Sequence, residues 1–84
     1  INLFPNPFNS SLLMGFSNAG RSPIQKIIVY NIIGEIVTQW EIKKEENIYW
    51  DAKDDNGFEI NSGLYFISFI SENTTIIKKV TYLK

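Results

Sequence analysis

Apolar and polar side chains alternate along most of the chain. Positions such as Ile27 and Val29, or Ile67 and Phe69, repeat with a period of two, and β-branched residues outnumber Ala and Leu. This pattern predicts β-strands rather than helices. Residues that favour turns interrupt it at short intervals, at Asn6, Asn18–Gly20, Gly34, Gly57 and Gly63. Short strands with turns at such spacing indicate an all-β sandwich or barrel.

We predict seven strands, near residues 12–16, 25–31, 36–42, 47–51, 58–60, 64–70 and 75–83. Val37 and Trp40 both have the character of core residues although they differ in parity, which predicts a β-bulge between them. Glu72 and Asn73 are expected to form the turn between the last two strands. Seven short strands in 84 residues match a minimal antiparallel, immunoglobulin-like β-sandwich.

Residues 1–10 are predicted to be an extended lead-in, and residues 11–84 to be the sandwich domain. Pro5 and Pro7 fix their own φ angles and favour an extended conformation at the residue before each of them. Phe4 and Phe8 flank this stiff segment and are expected to pin it onto the sandwich. The chain begins with Ile1 rather than Met, so we expect it to be a piece of a longer protein.

The composition argues against catalysis. The chain has no His and no Cys, and its net charge is −1. The most common general base, the most common metal ligand and thiol chemistry are therefore all missing. No phosphate loop or nucleophile elbow is present, and no apolar run has the length of a membrane-spanning helix. We predict a protein that is not an enzyme, needs no cofactor, binds no nucleic acid and does not insert into a membrane.

Two segments leave binding alternatives open. The carboxylates of Asp51, Asp54 and Asp55 resemble part of a calcium loop, although Ser62 stands where a bidentate Glu is wanted. The alternative is that Asp and Asn cap a turn in which Gly57 takes a positive φ. Trp40, Tyr49 and Trp50 are residue types that stack on sugar rings, but tryptophans on the strands of a small sandwich usually belong to the core. A carbohydrate-binding or structural module of a surface enzyme is therefore the alternative function.

Several segments, in this order, resemble the C-terminal sorting domains of the type IX (Por) secretion system. The matching segments are Phe4-Pro5-Asn6-Pro7-Phe8-Asn9, Val29-Tyr30-Asn31 through Gly34 to Val37, Trp50-Asp51 through Asp54-Asp55-Asn56-Gly57, Ser62-Gly63-Leu64-Tyr65-Phe66, and Lys78-Lys79-Val80. Ala52 replaces the Gly that usually follows Trp-Asp in this family. The middle motifs are also similar to immunoglobulin-like domains of the flagellar-hook-capping type, for which self-association is the expected behaviour.

The resemblance implies an address domain that directs a larger, covalently linked cargo protein across the outer membrane. The cargo travels through the periplasm and is secreted or held at the cell surface. The implied partners are an outer-membrane translocon and a sortase-like surface peptidase, which often removes the domain and joins the cargo to a surface lipopolysaccharide. For contact with the translocon we select Lys78, Lys79 and Val80, although edge-strand lysines also discourage aggregation. The remaining family-motif positions are Pro5, Asn6, Pro7, Phe8, Gly34, Gly63 and Tyr65.

Overall fold

In the computed structural model, which describes residues 1–16, 23–44 and 47–84, seven strands form two antiparallel sheets. The strands are β1 (Asn2–Phe4), β2 (Leu12–Gly15), β3 (Ile24–Tyr30), β4 (Ile36–Glu41), β5 (Ile48–Trp50), β6 (Gly63–Ser71) and β7 (Thr75–Tyr82). The smaller sheet has the order β1-β2-β5, and the larger has the order β4-β3-β6-β7. The predicted seven-stranded antiparallel β-sandwich is confirmed.

The core lies between the two sheets, where the inward-facing side chains of both interdigitate, as they do in sandwiches generally. Alternation along each strand selects these side chains. Leu12 and Met14 point inward from β2, and Ile67 and Phe69 point inward from β6; all four are fully buried. No buried side-chain nitrogen or oxygen lacks a hydrogen-bond partner among the described residues. The interior is therefore mainly apolar, and the polar atoms that its aromatic residues carry, such as Trp50 Nε1, are hydrogen-bonded.

The strand that the sequence pattern missed is β1. Residues 1–10 were expected to be an extended lead-in, yet Asn2–Phe4 pairs with β2 in the register Leu3 to Met14. Phe8 is 1 % exposed and belongs to the core, whereas Phe4 is 70 % exposed. Phe4 and Phe8 were both expected to hold the segment against the sandwich, and only Phe8 does. A strand of three residues is too short to show an alternation of apolar and polar positions. The strand β1 forms because it pairs with β2.

The predicted strand at residues 58–60 is not formed. Lys53 and Glu59 make an isolated bridge, and the Ile60 N–H donates to the Ala52 carbonyl at 3.0 Å. Ile60 is buried, as an inward residue should be, but Phe58 is 68 % exposed. The segment is therefore the return arm of a loop, and its apolar residues do not share a strand pattern.

The irregularity in β4 lies at Val37 itself. Val29 pairs with Thr38 and Tyr30 pairs with Ile36, so Val37 is the extra residue of the bulge. The bulge therefore lies at the start of the predicted interval between Val37 and Trp40 and not inside it. Both of those side chains are partly buried and pack against the core, which is the outcome that the bulge was invoked to explain.

The turn between β6 and β7 has Glu72 and Asn73 at its centre, as predicted. The Ser71 N–H donates to the Thr74 carbonyl at 2.8 Å, and the Ser71 hydroxyl donates to the same oxygen at 3.1 Å. The predicted turn at Asn18–Gly20 lies outside the described residues. No helix in the described part of the chain is long and apolar enough to cross a membrane.

Candidate functional site: the β7 edge and the motif turns

The Pro5-Asn6-Pro7-Phe8 segment lies along the outer edge of β7. The Phe8 N–H donates to the Thr81 carbonyl at 3.0 Å, and the Leu83 N–H donates to the Phe8 carbonyl at 2.8 Å. The Asn6 carboxamide continues this ladder: its Nδ2 donates to the Lys79 carbonyl at 3.2 Å, and its Oδ1 accepts from the Thr81 N–H at 3.1 Å. An amide side chain carries both a donor and an acceptor, so Asn6 imitates a strand residue where the flanking prolines have no N–H.

Phe8 anchors the segment beneath this ladder. Its ring centroid lies 5.0 Å from that of Tyr82 and 5.5 Å from that of Trp50, with tilted planes. Aromatic rings prefer such inclined contacts to parallel sandwiches. Of the motif residues in this segment, Asn6 and Phe8 therefore have identified structural roles, one on the edge of β7 and one in the core.

Two motif turns share one geometry. In the first, Asn31 Oδ1 accepts from the N–H groups of Ile33 (3.1 Å) and Glu35 (2.9 Å), and the Gly34 N–H donates to the Asn31 carbonyl at 3.1 Å. Gly34 has a φ of 87°. This left-handed backbone is readily adopted by glycine, which explains the spacing of Asn31 and Gly34.

The second turn repeats these contacts at Asp54. Its Oδ1 accepts from the N–H groups of Asn56 and Phe58, both at 2.9 Å, and the Gly57 N–H donates to the Asp54 carbonyl at 3.0 Å. Gly57 has a φ of 85°, so the predicted capped turn with a positive-φ glycine is confirmed. The Asp55 N–H donates to the Val37 carbonyl at 3.0 Å, which joins this loop to β4. Asp54 is thus occupied in holding the backbone.

A shallow groove of about 390 Å³ runs between the two turns. Its walls carry the polar side chains Asn31, Glu35, Asp54, Glu59 and Asn61. The described residues contain no group of three or more acidic side chains arranged to hold a metal ion. Of the carboxylates of Asp51, Asp54 and Asp55, only that of Asp54 lines the groove, and the three do not form such a group.

Ala52 stands where the related domains usually have Gly, and its backbone conformation explains that preference. It is the one non-glycine residue in the described ranges with a positive φ, 61°, and its side chain is fully buried. A left-handed conformation costs an L-residue about 1–2 kcal/mol, whereas burying a methyl group returns roughly 0.8 kcal/mol. Burial therefore offsets part of the strain and leaves a net cost of about 0.2–1.2 kcal/mol, which a folded domain tolerates.

Gly63 and Tyr65 organise the start of β6. Gly63 has a φ of 151° at the entry of the strand. The buried Tyr65 hydroxyl donates to the Asn61 carbonyl at 2.7 Å, and burial raises the pKa of this phenol above its ordinary value. A tyrosine that bonds backbone a few residues upstream is the tyrosine corner of immunoglobulin-like sandwiches. The motif residues Gly63 and Tyr65 thus fix the loop that precedes a central strand.

The end of the chain is tied to the same loop. The Tyr82 hydroxyl donates to Glu59 Oε2 at 2.8 Å, and Lys84 Nζ lies 3.5 Å from Glu59 Oε1. The hydrogen bond from Tyr82, together with the charge of Lys84, lowers the pKa of the Glu59 carboxyl, and the same bond raises the pKa of Tyr82. The sequence contained no signal for this pair, because 23 residues separate its members.

The three residues selected for translocon contact do not share one surface. Val80 is 1 % exposed and points into the core. Lys78 and Lys79 are both exposed, but adjacent residues of a strand project to opposite faces of the sheet. Neither lysine forms a salt bridge with a described residue. The structure therefore presents the two lysines on either side of the β7 edge, with Val80 beneath.

The aromatic residues considered for sugar stacking are mostly occupied elsewhere. Trp50 is 1 % exposed, and its Nε1 donates to the Lys53 carbonyl at 3.0 Å. Trp40 is partly buried against the core, and of the three only Tyr49 is largely exposed. The three rings therefore form no shared stacking platform.

The family model described as the secretion system C-terminal sorting domain matches residues 2–82. The chain belongs to this family. Its members are the sorting signals of the type IX secretion system, whose substrates are exported to the cell surface or secreted. The predicted resemblance and the predicted sorting function are confirmed. The family is one of sorting signals and is not known for catalysis.

The fold is also found in a solved structure from Porphyromonas gingivalis. That protein is PorZ, described as an essential bacterial surface component of the type IX secretion system. The TM-score is 0.76 at 14 % sequence identity, and the match covers 99 % of this chain and 11 % of PorZ. The sorting domain therefore spans about a tenth of the length of that protein, and the likeness concerns the fold. No sequence among the curated proteins matches the chain.

Proposed function

We propose that this sorting domain is recognised by the outer-membrane translocon through Lys78 and Lys79 at the β7 edge, and that it thereby carries an upstream cargo out of the periplasm. A sortase-like surface peptidase then removes the domain, which performs no chemistry itself. The residues before β2 lead from the cargo into the fold. The observation that carries the proposal is that two exposed lysines, without salt-bridge partners among the described residues, stand on a strand whose next inward residues belong to the core.

Exposure without pairing supports a role in contact rather than in stability. An exposed ion pair is worth only about 0–1 kcal/mol, and these lysines make none with the described residues. Their positive charge is therefore available to a partner. Long-range attraction of such charges accelerates encounter with an acidic surface and fixes its orientation.

The test is an export assay with a matched control. Residues 1–84 are fused to the C-terminus of a reporter in a host that has a type IX system, and export is measured for wild type and for Lys78→Gln/Lys79→Gln. Lys43→Gln/Lys44→Gln removes the same charge from another pair of adjacent, exposed lysines. We expect export to fall at least roughly tenfold in the first variant alone, which corresponds to about 1.4 kcal/mol of binding.

Substitution is a sharper test than truncation. Deleting residues 78–84 also removes Val80 and Tyr82 from the core, and the domain then fails to fold whatever the lysines do. Thermal unfolding of both double variants should stay close to that of the wild type because all four lysines are exposed. Equal export by the two variants contradicts the assignment of Lys78 and Lys79.

A further inference from the structure

The backbone of β7 has one edge that faces away from β6. In the antiparallel β6–β7 pair, Ile67 lies opposite Lys78 and Tyr65 lies opposite Val80. Backbone groups of successive residues point alternately toward and away from the neighbouring strand. Thr81 and Leu83 donate or accept on the outer side, so Thr75, Ile77 and Lys79 also direct their N–H groups outward.

The described residues cover only part of this outer edge. The Asn6–Phe8 segment occupies it from the Lys79 carbonyl to the Leu83 N–H. Before Asn6 the chain crosses to the other sheet, where β1 pairs with β2. No described residue hydrogen-bonds the N–H groups of Thr75, Ile77 or Lys79 from the outside. The open stretch, Thr75–Lys79, ends at the Lys79 N–H because Asn6 bonds the Lys79 carbonyl. It spans about 13–14 Å at the usual rise per strand residue.

The open stretch presents one isoleucine and one lysine on each face of the sheet. Ile77 and Lys79 project to the outer face of the sheet, while Ile76 and Lys78 project to the face that carries Val80. Ile77 is 61 % exposed and Ile76 is 39 % exposed. A partner lying flat on either face reaches one lysine, and a partner that reaches both must approach the edge.

We propose that Thr75–Lys79 is an acceptor edge for strand addition, to which a partner docks an extended segment with two consecutive apolar residues and two consecutive carboxylates. The backbone of that segment pairs with the outward N–H and C=O groups of β7. Its apolar side chains lie against Ile76 and Ile77, and its carboxylates lie opposite Lys78 and Lys79. The inference rests on the proposed function and specifies how the translocon reads these lysines. The added strand continues the ladder that Asn6 and Phe8 already form on the same edge.

Charge decides between this occupant and a second copy of the chain. Two β7 strands paired edge to edge bring four lysines onto one short ladder, and like charges on neighbouring strands are destabilising. An acidic strand instead meets opposite charge on both faces. Side-chain pockets and opposite charges give specificity in strand addition, while backbone hydrogen bonds give affinity.

The decisive variant removes one outward N–H. Ile77→Pro deletes the N–H that faces the open edge and leaves the bonds between β6 and β7 intact, as edge prolines do. Ile77→Val keeps the N–H and an apolar side chain, so it is the matched control. Thr75→Pro is a second outward position if Ile77→Pro shifts the melting temperature. We expect the proline variants to lose export at least roughly tenfold relative to Ile77→Val, about 1.4 kcal/mol of binding.

Direct binding is measured by fluorescence anisotropy with two labelled peptides, one for each strand direction. They are Ser-Thr-Val-Val-Asp-Asp-Thr-Ser and Ser-Thr-Asp-Asp-Val-Val-Thr-Ser, and the controls carry Lys in place of Asp. We expect one acidic peptide to bind the 84-residue chain at least tenfold more tightly than its lysine counterpart, and Ile77→Pro to abolish the difference. Binding by neither acidic peptide, equal binding by the lysine peptides, or a stable dimer formed through β7 overturns the inference.

The export results separate the two proposals. If Lys78→Gln/Lys79→Gln stops export and Ile77→Pro does not, the lysines are recognised as side chains and strand addition is wrong. If neither variant affects export, the proposed recognition by β7 is wrong as well.

Discussion

Replacing Phe8 by Ala tests whether the opening Pro-Asn-Pro segment is part of the folded domain. The side chain is 1 % exposed and lies against the rings of Trp50 and Tyr82. Truncating a buried Phe to Ala costs about 3–5 kcal/mol through lost burial and the cavity that remains. The backbone bonds of residue 8 to Thr81 and Leu83 do not involve the side chain, so the loss measures packing.

Phe4→Ala is the internal control, four residues earlier in the same motif. Phe4 is 70 % exposed. Complete burial of a Phe is worth about 1.5–3 kcal/mol, so the buried third of this side chain contributes under about 1 kcal/mol. The two substitutions remove the same atoms, and only their environments differ.

The assay is thermal unfolding followed by circular dichroism and by tryptophan fluorescence, because Trp50 contacts Phe8. For a domain of this size, each kcal/mol shifts the melting temperature by about 4–8 °C. Phe8→Ala should therefore lower it by about 12–40 °C, and Phe4→Ala by less than about 8 °C. Similar small shifts for both variants refute the reasoning and make the segment an appended lead-in.

Two further predictions concern the turns and the end of the chain. Gly34→Ala and Gly57→Ala should each cost about 1–2 kcal/mol in urea unfolding. The cost is backbone strain alone, because nothing lies within 4 Å of an added Cβ at either position. Asn tolerates this backbone better, so an equal cost for Gly34→Asn contradicts strain as the cause. The Tyr82–Glu59 bond should make stability depend on pH at both extremes. Because the pKa of Glu59 is lowered in the folded protein, its ionised carboxylate stabilises the fold at pH values above the ordinary pKa of 4.5. This contribution is lost as the pH falls through the lowered pKa. Because the pKa of Tyr82 is raised, its protonated hydroxyl stabilises the fold at pH values below the ordinary pKa of 10.0. This contribution is lost as the pH rises through the raised pKa. In Glu59→Gln, the urea midpoint should depend less on pH than in the wild type, both at acid and at alkaline pH. If the two proteins show the same dependence on pH at both extremes, this coupling is absent.

Local signals in the sequence were sufficient for the sandwich. Strands β3, β6 and β7 are long enough to display alternation, and their predicted bounds agree with the structure to within one residue at each end. The capped turn at Gly57 could also be predicted from the sequence, because the donors and acceptors of its hydrogen bonds lie within five consecutive residues. Where an element is defined by near neighbours, residue order carries the information.

Contacts between distant residues were decided only by the tertiary structure. Asn6 bonds Lys79 and Thr81, and Glu59 bonds Tyr82, across gaps that no sequence period reports. The brief β1 exists because β2 offers it an edge. The lysine pair shows the same division: the sequence placed Lys78 and Lys79 side by side on a strand, and strand geometry sends them to opposite faces. Their position beside an uncovered stretch of β7 depends on where the Pro5–Phe8 segment docks, which packing of Phe8 into the core determines.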